Sequence, residues 1–199
     1  MVILRTSPAS PFGRKVALAA SILGLDAIIQ MEPTNTEAPE DAFLNQNSLG
    51  KIPVLITEDG QALYDSRVIV DYLDHRVGGG VIVPQDATRF EALRLQALAE
   101  DGLCEATLQI VYEKRFRPEE KWYQPWLNRQ WQKATRSLDK LEAAPPTLTS
   151  KPDVGIIGLS CALGYSTCAS TGSGARITRA SSHGSTNSPR RFPLSSGPG

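Results

Sequence analysis

Three short motifs follow one another within the first 70 residues, and together they constrain the fold more than any other feature of this chain. They are Ser-Pro-Phe at residues 10–12, Gly-Lys-Ile-Pro-Val-Leu at 50–55, and Leu-Tyr-Asp-Ser at 63–66. The first is a helix start, since a serine hydroxyl caps free N–H groups and proline lacks only an N–H that has no helical partner there. Each motif alone is weak, but their order and spacing are informative.

The remaining N-terminal sequence alternates strand and helix signals. Helical spacing of apolar residues follows Pro11 and ends at Gly24, and Asp59-Gly60 is a favoured hairpin turn. Ile69, Tyr72 and Leu73 give a later helix one apolar face. The pattern predicts strands over 2–6, 27–31, 53–57 and 61–64, and helices after residue 10, over 38–44 and after residue 66. This order predicts a thioredoxin-like α/β domain over residues 1–77.

The middle of the chain is predicted to be helical. Three glycines at 78–80 and a following proline mark a linker over 78–86. The first helix covers 87–114, with Leu93, Ala97 and Leu98 on its apolar stripe. A second helix restarts at Pro118, and a Ser-x-x-Asp start at 150–153 precedes a third helix over 154–165. Residues 87–165 therefore form a predicted all-helical domain.

The composition changes abruptly after Tyr165. Residues 166–199 are rich in serine, threonine, glycine and proline, and they contain four arginines but no lysine or acidic residue. Such a segment buries too little apolar surface to offset its ordering entropy, so a disordered C-terminal tail is predicted. Two explanations stay open, a natural low-complexity tail and a reading-frame shift that leaves the helical domain incomplete.

Charge and cysteine content restrict the function further. Lysine plus arginine equals aspartate plus glutamate at 21 each, which gives no reason to expect nucleic acid or a membrane as partner. The three cysteines and two histidines have no metal-binding spacing, so no metal is expected. We found no signal peptide and no apolar run long enough to span a bilayer, which favours a cytoplasmic protein.

Residues 1–165 resemble the bacterial serine-type glutathione S-transferases. The resemblance rests on the three motifs above, and the stretch 47–55 follows the family pattern Asn-Pro-x-Gly-Lys-Val-Pro, with Ser48 and Ile52 as departures. It implies a cytoplasmic homodimer that uses glutathione as co-substrate, attacks small electrophiles and serves in detoxification. The family pairs its third and fourth helices across a two-fold axis.

The chemistry to be served is activation of the glutathione thiol. A free thiol titrates near about 8.5, and lowering that pKa by ~2 units requires roughly 2.7 kcal/mol. One hydroxyl hydrogen bond to a charged group supplies about 1.5–3 kcal/mol, and a helix N-terminus adds about 0.3–1. Ser10 lies at such a helix start and is the predicted catalytic residue. Ser7 is the alternative, because some serine-type classes place their hydroxyl a few residues earlier.

The resemblance assigns glutathione-binding roles to four further residues. In the family, the proline at position 53 follows a cis peptide bond, and the residue before it, here Ile52, offers its backbone to the cysteinyl part of glutathione. Lys51 would meet a glutathione carboxylate. Ser66 and its helix N-terminus would accept the γ-glutamyl carboxylate, and Asp65 would face the ammonium. Asp65 and Ser66 are also ordinary helix-capping residues, a role that is compatible with binding.

Two matters stay open from the sequence. The aromatic residues between 112 and 131 are expected mostly to pack in the core, although some could line an apolar pocket for the electrophile. The functional alternatives to a transferase are a non-catalytic binding module of the same family and an inactive truncated product. Conjugation also cannot be separated here from isomerase, reductive or peroxide chemistry.

Overall fold

The computed structural model describes residues 1–172, with side chains described as far as Thr167. The first part is a four-stranded mixed sheet with strand order β2-β1-β3-β4. The strands are β1 Val2–Thr6, β2 Ile29–Pro33, β3 Val54–Ile56 and β4 Ala62–Leu63. Strand β1 is parallel to β2 and antiparallel to β3, and β3 is antiparallel to β4. The predicted thioredoxin-like domain is confirmed.

Three helices accompany this sheet: α1 Pro11–Ile22, α2 Asp41–Gln46 and α3 Ser66–Arg76. A 3₁₀ turn, Asp26–Ile28, precedes β2, so that strand begins two residues later than the sequence predicts. The inward face of β1 and the apolar faces of α1 and α3 form one core. Its fully buried members include Val2, Leu4, Val16, Ala19, Leu55, Ile69 and Leu73.

The predicted linker is bound tightly to α3 rather than hanging between domains. The Asp74 carboxylate accepts hydrogen bonds from the backbone N–H groups of Gly80, Val81 and Ile82 at 2.7, 3.0 and 2.8 Å. Ile82 and Val83 are buried in the core of the first domain. A carboxylate that accepts several N–H groups fixes the chain strongly, so the linker orients the second domain.

The second domain contains α4 Arg89–Ala97, α5 Glu105–Phe116, α6 Gln124–Ala143 and α7 Val154–Gly172. A π-helical segment, Leu98–Cys104, joins α4 to α5 into one long helix. Helix α7 packs against α1, α4 and the π-helical segment. A Cβ at Gly155 would lie 2.6 Å from the Ala92 carbonyl oxygen, so glycine permits the close approach of α7 to α4. The all-helical second domain is confirmed.

The long helix presents a different face to the core from the predicted stripe. Ala97 is exposed and Leu93 and Leu98 are only partly buried. The buried residues of its first half are Ala92, Leu95, Gln96, Ala99, Glu100, Gly102 and Leu103. Leu93 packs against the core of the first domain, but the prediction was wrong for Ala97. The reason is that the buried positions at Gln96 and Glu100 carry polar side chains, which a count of apolar residues assigns to solvent.

The prediction that most of the aromatic residues pack in the core was also wrong. Among Tyr112, Phe116, Trp122, Tyr123, Trp126 and Trp131 none is buried, and Tyr123 is 62% exposed. The buried stripe of α6 is Leu127, Gln130, Ala134 and Ser137. The later half of this stripe, Ala134 and Ser137, is small because α6 lies close to the π-helical segment there. A Cβ on Gly102 would be 2.4 Å from Ser137 Oγ. Tryptophan side chains are too large for such a contact.

Helix α7 continues beyond the predicted end at Tyr165. Ser166 is buried, and its Oγ lies 3.2 Å from Thr107 Oγ1 on α5. Residues 166–172 therefore belong to a helix, and the start predicted for the disordered tail is too early. The remainder of that predicted tail, residues 173–199, lies outside the described residues.

Candidate active site

The strand register brings the three sequence motifs to one edge of the sheet. Arg5 near the end of β1 pairs with Val54 at the start of β3, which places the Ser-Pro-Phe motif beside Pro53. Leu63 of β4 pairs with Leu55, so the chain leaving β4 toward Asp65 runs past the same edge. Helices α1 and α3 both begin there and pack against each other. The register and the contact between α1 and α3 therefore place Ser10, Ile52 and Ser66 near one another at this edge.

Ser10 is the N-cap of α1, and its side chain is half-buried. The Gly13 N–H donates to Ser10 Oγ at 3.1 Å, and Pro11 occupies the first helical position. Because this bond uses a lone pair of the hydroxyl, the Ser10 O–H hydrogen is still available to donate to a ligand. The positive end of the helix dipole lies at the same place. The position is suited to stabilising an anion.

Ser7 occupies the turn that precedes this helix. The Ala9 N–H donates to Ser7 Oγ at 3.4 Å, and the Ser10 N–H donates to the Ser7 carbonyl at 2.9 Å. Its hydroxyl can also donate, but it does not cap a helix. Of these two serines, only Ser10 combines a hydroxyl with a helix N-terminus.

The loop before β3 is held by a buried asparagine. Asn47 Nδ2 donates to the Lys51 carbonyl at 2.7 Å, while Asn47 Oδ1 accepts from the Leu49 N–H at 3.0 Å. The Ile52–Pro53 peptide bond is cis, as the resemblance implied. The Lys51 side chain is exposed, so it is free to approach a ligand. Asn47 thus positions the Lys51 and Ile52 backbone.

Asp65 and Ser66 begin helix α3. The Arg67 N–H donates to Asp65 Oδ1 at 2.9 Å, which makes Asp65 the N-cap. Asp65 is exposed, whereas Ser66 is buried at 2% exposure. The predicted capping role of Asp65 is therefore confirmed. Its second carboxylate oxygen makes no side-chain hydrogen bond within residues 1–172, which leaves it available to a ligand.

A charged cluster that no local sequence pattern predicts lies behind these helix starts. Arg67 Nε donates to Glu100 Oε2 at 2.8 Å, and Arg67 Nη2 donates to both oxygens of Asp101 at 2.8 Å. Lys15 Nζ lies 2.5 Å from Glu100 Oε1. The signal available in the sequence was a lysine within the apolar stretch of α1, but nothing local identifies its partner.

Burial and charge act against each other within this cluster. Burial lowers the pKa of Lys15, and the neighbouring Glu100 carboxylate opposes that shift. Burial also disfavours the charged form of Arg67, but its hydrogen bonds to Glu100 and Asp101 outweigh this effect and raise its pKa. The Lys15 side chain is 1% exposed, so the ion pair with Glu100 is essentially dry.

Among residues 1–172, no group of three or more histidine, cysteine, aspartate or glutamate side chains could hold a metal ion. No helix in that same part of the chain is sufficiently long and apolar to cross a membrane. Cys104 and Cys161 are buried free thiols, as expected for small core residues.

A family model and a curated relative both relate this chain to the glutathione S-transferases. Residues 4–80 match the family model described as glutathione S-transferase, N-terminal domain. The chain is 38% identical over 165 residues to the uncharacterized GST-like protein YibF of Escherichia coli K12, covering 78% of this chain and 77% of that protein.

Solved structures agree in fold and sequence. A glutathione transferase family member from Pseudomonas fluorescens Pf-5 with bound glutathione is 40% identical, with a TM-score of 0.77 over 83% of this chain and 82% of the other. A glutathione S-transferase from Methylobacillus flagellatus KT with bound glutathione is 37% identical, with a TM-score of 0.74 and the same coverage. On these grounds the chain belongs to the glutathione S-transferase family.

Proposed function

We propose that this protein binds glutathione at the shared edge of β1 and β3 and activates its thiol through Ser10 for attack on small electrophiles. The observation that carries the proposal is the convergence of two capped helix starts and the Ile52–Pro53 turn at that edge. Two solved relatives of 37–40% identity hold glutathione, which supports the choice of ligand.

Ser10 is the group proposed to act on the thiol. Its O–H donates to the sulfur as the thiol loses its proton, and the helix dipole of α1 favours the resulting negative charge. Together these contributions amount to about 2–4 kcal/mol, which meets the roughly 2.7 kcal/mol needed to lower a thiol pKa by ~2 units. The proton leaves to solvent and needs no general base.

The tripeptide is held by groups on either side of Ser10. The Ile52 backbone pairs with the cysteinyl part of glutathione, and Lys51 meets a carboxylate. At the start of α3, the Ser66 hydroxyl and the free N–H groups donate to the γ-glutamyl carboxylate, while Asp65 binds the ammonium. The exposed position of Asp65 supports this role.

The electrophile is proposed to bind against the exposed aromatic side chains at the end of α5. Tyr112 and Phe116 form an edge-to-face pair with ring centres 5.4 Å apart. Arg115 of the same turn pairs with Glu37 of the first domain at 2.5 Å, which brings this end of α5 against the loop before α2. An apolar or aromatic electrophile fits such a surface better than a charged one.

The Ser10→Ala variant tests the catalytic role. We expect conjugation of an aryl halide at neutral pH to slow by roughly 10- to 100-fold, because about 1.5–3 kcal/mol of thiolate stabilisation is lost. Glutathione affinity, measured directly by calorimetry, should change little. Ser7→Ala is the matched control and should leave the rate near wild type. If Ser7→Ala abolishes activity and Ser10→Ala does not, the role belongs to Ser7.

The same measurements separate an enzyme from a binding module. An enzyme both binds glutathione and lowers the pKa of its thiol, which is visible as thiolate ultraviolet absorbance near neutral pH. A non-catalytic module binds glutathione without that change in pKa. Wild-type protein that binds glutathione but shows neither conjugation nor a lowered thiol pKa would contradict the proposed activity.

We further propose that the protein is a cytoplasmic homodimer. Helices α3 and α4 expose two large apolar side chains, with Val68 at 48% and Phe90 at 78% exposure. A neighbouring copy could cover them. Light scattering of the Phe90→Asp variant tests this proposal, because it should shift the protein toward monomer. An unchanged mass would exclude that surface.

A further inference from the structure

Glu100 is the one carboxylate in the described chain that reaches the starts of both helices at the candidate site. Its Oε1 lies 2.5 Å from Lys15 Nζ on α1, and its Oε2 accepts from Arg67 Nε on α3 at 2.8 Å. Lys15 lies five residues after Ser10, and Arg67 directly follows Ser66. A single side chain of the second domain therefore contacts the helices that carry both halves of the site.

The surroundings of Glu100 are built to hold it in place. The residue is 4% exposed, and Gln96 Nε2 donates to Oε1 at 3.2 Å. A Cβ at Gly158 of α7 would lie 3.4 Å from the same oxygen. The carboxylate is thus enclosed by side chains from α1, α3 and α4 and by the backbone of α7. These contacts hold the Glu100 side chain in one rotamer.

Lys15 has no role in packing that an apolar residue could not fill. It is one of the largest fully buried side chains, and Glu100 is its only ion-pair partner among the side chains of residues 1–167. A buried ion pair rarely stabilises a fold more than apolar residues of similar volume would. Its presence in the core therefore requires another reason. Unlike apolar packing, an ion pair fixes the distance and direction between two particular groups, here Lys15 and Glu100.

We propose that the Lys15–Glu100–Arg67 cluster is a positioning device that fixes the spacing between the helix starts of α1 and α3, so that glutathione engages both at once. The inference rests on the proposed function. Glutathione places its thiol at Ser10 and its glutamyl group at Asp65 and Ser66. Binding at one end raises the effective concentration of the other end only when the two sites have the matching separation.

This role predicts a dependence on ligand length. Cysteinylglycine carries the same thiol but lacks the γ-glutamyl group, so it uses the start of α1 and not that of α3. If the cluster sets the spacing between the two helix starts, its loss should reduce activity with glutathione and leave activity with cysteinylglycine unchanged. A residue that only stabilises the fold would affect both thiols equally.

The test compares kcat/KM for glutathione and cysteinylglycine in the Lys15→Met/Glu100→Gln double variant. Glutamine at 100 still accepts from Arg67, and methionine leaves no unpaired charge, so α3 keeps its contact with residue 100 while α1 loses its own. We expect the preference for glutathione over cysteinylglycine to fall at least tenfold, with the cysteinylglycine rate within twofold of wild type. Arg76→Met is the control, because it removes an ion pair with Glu58 that lies away from Glu100.

A second variant tests the same role if the double variant does not fold. Glu100→Asp keeps the charge that compensates Lys15 but is one methylene shorter, so it cannot reach both Lys15 and Arg67. We expect a smaller fall of the preference, about threefold or more. An equal loss with both thiols, or an unchanged preference in both variants, would overturn the positioning role. Wild-type protein with no preference for glutathione would contradict the proposed function itself.

Discussion

The starts of α1 and α3 lie at the same edge of the sheet and are both capped by side chains, yet different forces hold them. Helix α1 is packed tightly into its domain: Gly13 lies so close to β1 that a Cβ there would be 1.8 Å from Thr6 Oγ1. Helix α3 packs in the same core through Ile69 and Leu73, but its exposed start is held by charges. The Arg67 side chain there is 43% exposed and the Asp101 side chain is 61% exposed.

Because of this difference, the two halves of the site should differ in their tolerance of substitutions and of salt. Close packing is insensitive to salt but cannot accept an added methyl group. Partly exposed ion pairs accept substitution more easily and are weakened by salt. The thiol-activating half is therefore expected to be rigid, and the glutamyl-binding half is expected to respond to solution conditions.

The largest effect is expected from Gly13→Ala, which attacks the packing of α1. The added methyl group would overlap Thr6, so we expect a loss of about 3 kcal/mol in the free energy of unfolding. Urea denaturation measures it. Gly164→Ala is the control, because a Cβ there meets only the flexible end of Arg14 at 3.6 Å and should be tolerated. Equal stability of the two variants would show that α1 can move away from β1.

The second-largest effect is expected from alkaline pH, which should lower the stability of the core beside α1. Burial raises the pKa of Cys104 from 9.0 to about 12 and that of Tyr165 from 10.0 to about 12. Cys104 lies in the core against which both Tyr165 and Phe12 of α1 pack. Above pH 9 the unfolded chain loses the thiol proton and the folded chain keeps it, so unfolding releases a proton and stability falls as pH rises toward 12.

The size of this alkaline effect can be measured on a single group. We expect Cys104→Ala to reduce the slope of the unfolding free energy between pH 9 and 11 by up to about 1.4 kcal/mol per pH unit. Below pH 8 the slopes of variant and wild type should coincide. Parallel curves over the whole range would mean that the Cys104 thiol is not protected from solvent in the fold.

The Asp65→Ala substitution acts at the start of α3 and should have a smaller effect. We expect glutathione affinity to fall about tenfold, equivalent to about 1.4 kcal/mol, because the ammonium loses its partner. A desamino analogue of glutathione separates binding from capping in calorimetry. The variant should bind this analogue almost as well as wild type does. If both ligands lose affinity equally, Asp65 acts only as a cap of α3.

The smallest effect is expected from salt. Raising ionic strength from 0.05 to about 0.5 M shortens the Debye length and screens the half-exposed Arg67–Asp101 pair. We expect KM for glutathione to rise about twofold while the pKa of the bound thiol stays constant. A salt-dependent thiol pKa with a constant KM would reverse the assignment of packing to α1 and charge to α3.

The local elements of this site could be predicted from the sequence because their causes are local. The Ser10 cap involves a hydrogen bond across three residues, and the Asp65 cap one across two. Proline, glycine and serine preferences act at the same short range. These signals gave the order of strands and helices and the residues at the site edge.

Only the tertiary structure decided which long helix face is buried and which charges meet. Arg67 and Glu100 are 33 residues apart in the sequence, and no local pattern joins them. A glutamate counts as a surface residue in any apolar periodicity, yet here its charge is compensated by Lys15 and Arg67 from two other helices. The sequence by itself determined the elements and their caps, and the packing of four helices decided the partner of each buried charge.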